Sequence, residues 1–399
     1  MQVARRSCGR AVTPYASFFY FGLLLYPLAI GLVLAWFGKL TPGILLGLTL
    51  GMVLVQYSRL QAEGPNAFDK VWAIAGFALY QLAIASAFLH VRQRLQSKPA
   101  FWFAIILSLL PLALVKAAPT NAGVTLIEFV GVSYVTFRSL DVIIGIEDRL
   151  ITALSSRQYV LFLLFFPAIS SGPIDRFRRF AGDLSQSRTR QSLLADVDSG
   201  IQHIMRGFAY KFLVAALIKS HWLEPAESAH GIWSTISYMY AYTLYLFFDF
   251  AGYSAFAIGV GSMLGIRTPE NFRLPFLARN INDFWNRWHI SLSTWFRDHV
   301  FMRFMLAATR GKWFRSREVA SVAAFYVTFL LMGLWHGVAL RYVVYGLYHA
   351  TLLSIHNGFA RWRRKRGRGE PGLGWQVAST ALTFQLVCFG LLIFSGRLG

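Results

Sequence analysis

An all-α, polytopic integral membrane protein is the fold class that the sequence predicts, on three observations. Of 399 residues, 56% are hydrophobic, 16% aromatic and only 14% charged, about half the charged share of a soluble globular domain. The mean hydropathy is +0.48, and apolar runs approaching the length of a membrane-crossing helix, about 20 residues, recur from end to end. The polar residues fall into short stretches between those runs. A soluble domain needs more polar surface, and a disordered chain needs fewer apolar residues.

The segments follow in order. Residues 16–37 are apolar, with no small-residue cleavage site behind them and further spans to come, so they read as a membrane segment rather than a cleaved leader. Residues 42–57 are a weaker candidate, 71–91 and 101–117 are clear ones, and 122–146 is weaker again because it carries Glu128, Arg138 and Asp141. Residues 158–171 run into Pro167–Arg176, where prolines break the helix twice, as in a re-entrant turn or the end of a span. Residues 204–219, 233–250, 252–266, 321–336, 341–356 and 376–396 complete the set. The total is roughly 11 spanning helices by hydropathy. Several are too short or glycine-interrupted to cross alone, which is tolerated only inside protein or beside a watery cavity. No repeat and no soluble domain interrupts the chain, so residues 1–399 read as a single membrane domain.

Charge supports that class. Lys and Arg number 39 against 18 Asp and Glu, a net charge of +21. In so apolar a chain this surplus points to loops facing an anionic leaflet, not to nucleic acid. Basic runs stand at Arg5, Arg6 and Arg10; at Arg92, Arg94 and Lys98; at Arg176, Arg178 and Arg179; at Arg310, Lys312, Arg315 and Arg317; and from Arg361 to Arg368. The last is the strongest cytoplasmic marker and suits lipid headgroups or an acidic partner. Three full spans between the first two runs would put those runs on opposite faces, so either 42–57 does not cross or one run lies outside. Cys8 and Cys388 match neither a disulfide framework nor a metal spacing.

Two polar features carry chemistry. The stretch from Arg279 to Asp298 is too polar to span, yet holds Trp285, Trp288 and Trp295 and no helix breaker. Asn280 or Asn282 is placed to cap a helix, with Asp283 favourable in its first turn. On one continuous helix, Trp285, His289, Leu292 and Phe296 would share a face. The ordinary reading is an interfacial amphipathic helix; the other is a helix tucked into a cavity. The second feature, Gly333-Leu334-Trp335-His336-Gly337, closes an apolar run. A titratable residue in a membrane segment is expensive and is a functional candidate by default, and a neutral histidine is a competent base near pH 7. Its bland alternative is a histidine hydrogen-bonded between helices.

Other intramembrane charges read as structural. Arg138 and Asp141 are three apart and placed to neutralise each other on a helix, while Asp249 sits in Phe248-Asp249-Phe250. His349 and His356 are seven apart with no third ligand near in sequence, so no metal site is expected. No nucleophile elbow, zincin motif or Walker loop is present, and Gly259-Val260-Gly261 lacks a βαβ setting.

Taken together, the Phe284–Asp298 segment with His289, followed by His336 in an apolar helix, resembles the membrane-bound O-acyltransferase (MBOAT) family. Ser170–Phe177, Phe248–Ser254, Thr268–Phe272 and Asp283–His289 are most similar to the branch that moves D-alanine onto teichoic acids. The likeness runs over about 131–356.

The resemblance implies a ring of spans around a thin floor with a central tunnel, in a bacterial cytoplasmic membrane. It implies that no cofactor is bound: the donor would be a D-alanyl thioester on the phosphopantetheine arm of a small acidic carrier protein (DltC-like), and the acceptor a hydroxyl of a cell-envelope glycan. A DltD-like membrane partner would be compatible. His336 and His289 would be catalytic. Asn286, Arg287, Trp285, Ser293 and Asp249 would line the substrate path. Met302, Phe304, Met305, Arg315 and Arg317 would receive the carrier. The alternatives are an exopolysaccharide O-acetyltransferase of the same family or, from another class, a transporter or flippase. Against the last, no matching broken segments recur in two halves.

Overall fold

The computed structural model describes residues 14–58, 69–95, 97–117, 131–367 and 372–398. Cys8, Arg5, Arg6, Arg10, Glu128 and Arg368 lie outside the described residues, as does the start of the 122–146 candidate. Among the described residues the regular elements are helical, with one isolated bridge between Phe272 and Trp288. Among the described residues six helices are long and apolar enough to cross a membrane: Phe18–Trp36, Lys70–Arg94, Lys98–Ala117, Ile232–Met263, Arg317–His336 and Leu373–Ser395. The remaining expected spans are shorter or more polar. The chain divides into two compact units, one of 1–205 with 253–269 and one of 206–252 with 270–399.

The first unit contains α1 (Phe18–Trp36), α2 (Pro42–Tyr57), α3 (Asp69–Arg94), α4 (Lys98–Ala117), α5 (Val132–Glu147), α6 (Ser156–Leu164) and α7 (Phe177–Ser185), with most of α8 (Arg190–Phe208). Ser17 and Thr41 cap α1 and α2 through their hydroxyls, and Pro42 occupies the first helical turn, where its missing N–H costs nothing. Helix α5 starts at Gly131, whose φ of +104° and whose closeness to the Ile169 carbonyl exclude a side chain: a Cβ would lie 2.3 Å from that oxygen.

Arg138 and Asp141 on α5 do not neutralise each other. Arg138, 1% exposed, donates to the carbonyls of Phe162 (3.0 Å), Leu163 (3.0 Å) and Ala168 (2.8 Å). The Phe162 and Leu163 carbonyls lie in the last turn of α6, where no further helical N–H follows, and that of Ala168 is shared with the Gly172 N–H, so a broken helix and a buried cation satisfy one another. Asp141 instead pairs with Arg176 at 3.0 Å and accepts the Phe177 N–H at 2.9 Å, which starts α7. Arg179 is likewise held by Asp175 and Asp183. Two members of the 176–179 basic run are thus consumed inside the unit. Burial pushes the Asp175 carboxyl up to about 6, against the lowering effect of Arg179.

From Arg190 helix runs without a break to Ser228, through π-helical turns at Ala209–Ala215 and Lys219–Leu223 that flank α9 (Ala216–Ile218), then α10 (Glu224–Ser228). Next comes α11 (Ile232–Met263). The expected segments 233–250 and 252–266 are therefore one helix of 32 residues. Gly252 does not interrupt it. Its missing side chain admits Lys211, since a Cβ there would meet the Lys211 Cβ at 2.7 Å and backbone N at 2.9 Å.

The second unit continues with α12 (Ile281–Trp285), α13 (Ile290–Phe296), a π-helical turn at Arg297–Phe301, α14 (Met302–Arg310), α15 (Arg317–His336), α16 (Leu340–Lys365) and α17 (Leu373–Ser395). Helices α15 and α16 pack backbone to backbone. A Cβ on Gly333 would fall 2.3 Å from the Tyr342 carbonyl oxygen, and one on Gly346 would fall 2.3 Å from that of Phe329. Small residues at such crossings permit the close approach that drives helix pairing in lipid.

Candidate active site

The stretch around His289 is not one amphipathic helix. Asn280 caps α12 by accepting the Asp283 N–H at 2.9 Å, but α12 ends at Trp285. Residues 286–289 turn, and α13 starts afresh with His289 as its N-cap, in the left-handed region at φ 44°, ψ 51°. The shared face of Trp285, His289, Leu292 and Phe296 is thereby broken. A non-glycine residue in that region carries strain that its surroundings must impose. Here the constraint is Asn271, fully buried: its carbonyl accepts the Ile290 N–H at 2.9 Å and its side-chain oxygen accepts the Ser291 hydroxyl at 2.6 Å. The Arg273 N–H bonds to the Arg287 carbonyl at 2.9 Å, so both sides of His289 are pinned to the 271–273 segment.

This pinning sets the imidazole. His289 is 6% exposed and meets Phe250 edge-to-face at 4.8 Å. Burial lowers its pKa to about 3, so the ring is neutral at pH 7. Its Nδ1 has no hydrogen-bond partner, a costly state for a buried polar atom. His336 ends α15, half-buried, where Gly337 stops the helix. The Trp335 ring lies 6.4 Å from the ring of His289 and 4.4 Å from that of His336. Phe394 closes another side of His336 at 4.8 Å. Two histidines 47 positions apart thus share one aromatic neighbour.

The other expected residues fall in the same unit with unequal roles. Asn286 is exposed. Arg287 pairs with Asp283 at 2.7 Å. Ser293 turns its hydroxyl back to the Trp288 carbonyl at 3.1 Å. Trp285 points into the helix packing, against Phe329 at 5.0 Å and His349 at 5.1 Å. Asp249 pairs with Lys211, a partner the sequence reading missed; two opposite charges in neighbouring apolar runs were the available signal. Asn271 and Trp335 were also missed as supports, since nothing local marks them. Met302 is exposed, and Met305 and Phe304 are half-buried, on the helix that continues directly from α13. Phe304 packs on Trp313 at 5.8 Å and Phe314 at 6.2 Å. Arg315 and Arg317 are exposed beside it. Among the described residues no three His, Cys, Asp or Glu gather as a metal site.

The model of the membrane-bound O-acyltransferase family matches residues 142–378. The chain belongs to that family. It is 40% identical over 400 residues to the teichoic acid D-alanyltransferase of Bacillus subtilis strain 168, covering 97% of this chain and 98% of that one. It is 37% identical to the protein of the same name from Streptococcus thermophilus, over 96% of this chain and 95% of that one. A probable alginate O-acetylase, AlgI of Pseudomonas syringae, is 34% identical over 66% of this chain and 48% of its own length. The family match takes in His289 and His336 together with the end of α5, α6 to α16 and the start of α17.

Proposed function

We propose that the protein is a membrane-embedded O-acyltransferase that moves D-alanine to a hydroxyl acceptor in teichoic-acid D-alanylation, and that His336 and His289 carry the reaction. The observation that carries this reading is the placement of both imidazoles against Trp335. The near full-length similarity to teichoic acid D-alanyltransferases supports the substrate.

The donor is a D-alanyl thioester on the phosphopantetheine arm of a small acidic carrier protein. The acceptor oxygen attacks the thioester carbonyl while His336 takes the hydroxyl proton. The tetrahedral centre collapses to an ester, and the departing thiolate takes that proton as the free thiol. His289, neutral and fixed by its backbone, polarises the carbonyl or orients the acceptor. A low-dielectric site strengthens both contacts and limits hydrolysis. Asn286, Arg287, Ser293 and Asp249 flank the substrate path, with Trp285 behind it. Met302, Phe304, Met305, Arg315 and Arg317 receive the carrier at the cytoplasmic face of a bacterial inner membrane. The whole of 1–399 works as one membrane domain, alone or with a DltD-like partner.

Purified protein in lipid, offered charged carrier and acceptor, tests this. His336→Ala should fold and insert but lose about 10²–10⁴ in turnover, the usual contribution of a general base. Normal turnover by that variant would sink the assignment. Transfer of acetyl without D-alanyl by the wild type would instead favour an alginate-O-acetylase-like activity.

A further inference from the structure

One titratable side chain in the second unit has no part in the chemistry above. His349 lies on α16 and is 1% exposed. Neither of its ring nitrogens has a hydrogen-bond partner. Four aromatic rings surround it: Tyr345 at 4.6 Å, Trp285 at 5.1 Å, Tyr348 at 5.3 Å and Phe329 at 6.3 Å. The remaining wall is Gly390 of α17, where a Cβ would come 2.7 Å from His349 Nε2. The box is closed, so the ring does not hold substrate.

A buried imidazole with unpaired nitrogens is an expensive way to fill apolar space. An aromatic ring without polar atoms would avoid that desolvation cost. Residues that lower stability at a buried position are characteristic of functional sites, where activity and stability trade against each other. The neighbours indicate the function. Tyr345 touches His349 on one side and His336 on the other, at 6.4 Å. Trp285 ends α12, and the turn over residues 286–289 leads directly from it to His289, whose backbone Asn271 pins. His349 therefore stands between a support of His336 and a support of His289.

We infer that His349 is a positioning residue for acyl transfer: by wedging between Trp285 and Tyr345, it sets the separation of His289 and His336. The imidazole suits this for two reasons. Its five-membered ring fits against Gly390, where a wider six-membered ring would displace Trp285 or Tyr345. Its contacts with Trp285, Tyr345 and Tyr348 are steeply inclined, at 84°, 69° and 82°, and in such a geometry an imidazole edge is a more polar partner for an aromatic face than a phenyl edge. Misplacing reacting groups by about 1 Å can cost 10²-fold in rate, so a small relaxation here is visible in turnover. The inference rests on the acyl-transfer reading of the two histidines.

The test compares His349→Phe and His349→Gln with wild type in one lipid-reconstituted assay, with thermal melting as the measure of folding. His349→Phe, which removes two orphaned nitrogens but crowds Gly390, should still fold and melt cooperatively, so that turnover is read per folded molecule. Its kcat per folded molecule should fall about tenfold or more, with KM for the charged carrier within about twofold of wild type. His349→Gln, which keeps polar atoms but loses the wedge, should also lose kcat. Wild-type kcat in either folded variant overturns the inference. So does a loss confined to KM, or failure of both variants to fold, which would mark the residue as structural only. Absence of transfer by the wild type would sink the underlying acyl-transfer reading, and the inference with it.

Discussion

Around Arg138 in the first unit, the buried charges are each bonded to protein; around His289 in the second, imidazole and indole nitrogens lack partners. Arg138 places N–H···O bonds on the end of α6 and on the turn that follows it, leaving only Nε without one. Asp141, Asp175 and Asp183 each meet an arginine. In the second unit, His289 Nδ1, both nitrogens of His349 and Trp285 Nε1 lack hydrogen-bond partners, and His289 is held at positive φ. Both regions are buried, but they differ in how their charged and polar groups are partnered. A satisfied network rigidifies; an unsatisfied buried group costs stability.

The sharpest way to break this comparison is Arg138→Met. It takes the donor from the carbonyls of Phe162 and Leu163 and one of two donors from that of Ala168, and should cost about 3–5 kcal/mol, as breaking a buried ionic network does. Thermal melting should fall steeply while kcat per folded molecule stays near wild type. A variant that melts normally but turns over slowly would erase the distinction between the two regions.

The same contrast extends to surface charge. Arg176 and Arg179 are neutralised internally, whereas Arg310, Lys312, Arg315 and Arg317 make no ion pair among the described residues. Arg315→Glu with Arg317→Glu should raise KM for the acidic carrier about tenfold at low salt, with kcat unchanged, because such charges act mainly on association. The effect should shrink as salt is added. A salt-independent loss, or a loss in kcat, would remove these arginines from the docking face.

The smallest effect concerns the His289 backbone. His289→Gly and His289→Ala both delete the imidazole and should slow transfer alike. Glycine adopts the left-handed conformation without strain, so the alanine variant should be less stable by about 1 kcal/mol. Equal melting temperatures would mean that the turn relaxes, and that Asn271 does not impose it.

Much of the architecture was readable because it is local or periodic. Long apolar runs require helices in lipid, Asn280 is a cap by residue type, and Pro167 breaks α6 where prolines must. The histidines stood out because ionisable residues in apolar surroundings are rare. What failed was pairing. Arg138 and Asp141 were assigned to each other because helical spacing allowed it, yet each found a better partner 24 and 35 residues away. The kink at Asn286–His289 was invisible because no proline or glycine announces it; Asn271 imposes it from outside the segment.

The amino-acid sequence alone thus determined the membrane class and most of the helices, and singled out the two histidines as candidates, since hydropathy and local propensity act along the chain. Only the tertiary structure decided that 233–250 and 252–266 are one helix with Lys211 beside its glycine, that Trp335 joins the surroundings of His289 and His336, and that His349 packs between Trp285 and Tyr345. Each of those depends on which surfaces meet across tens of residues. That choice is made by the free energy of packing and of satisfying buried polar groups together, which no single segment contains.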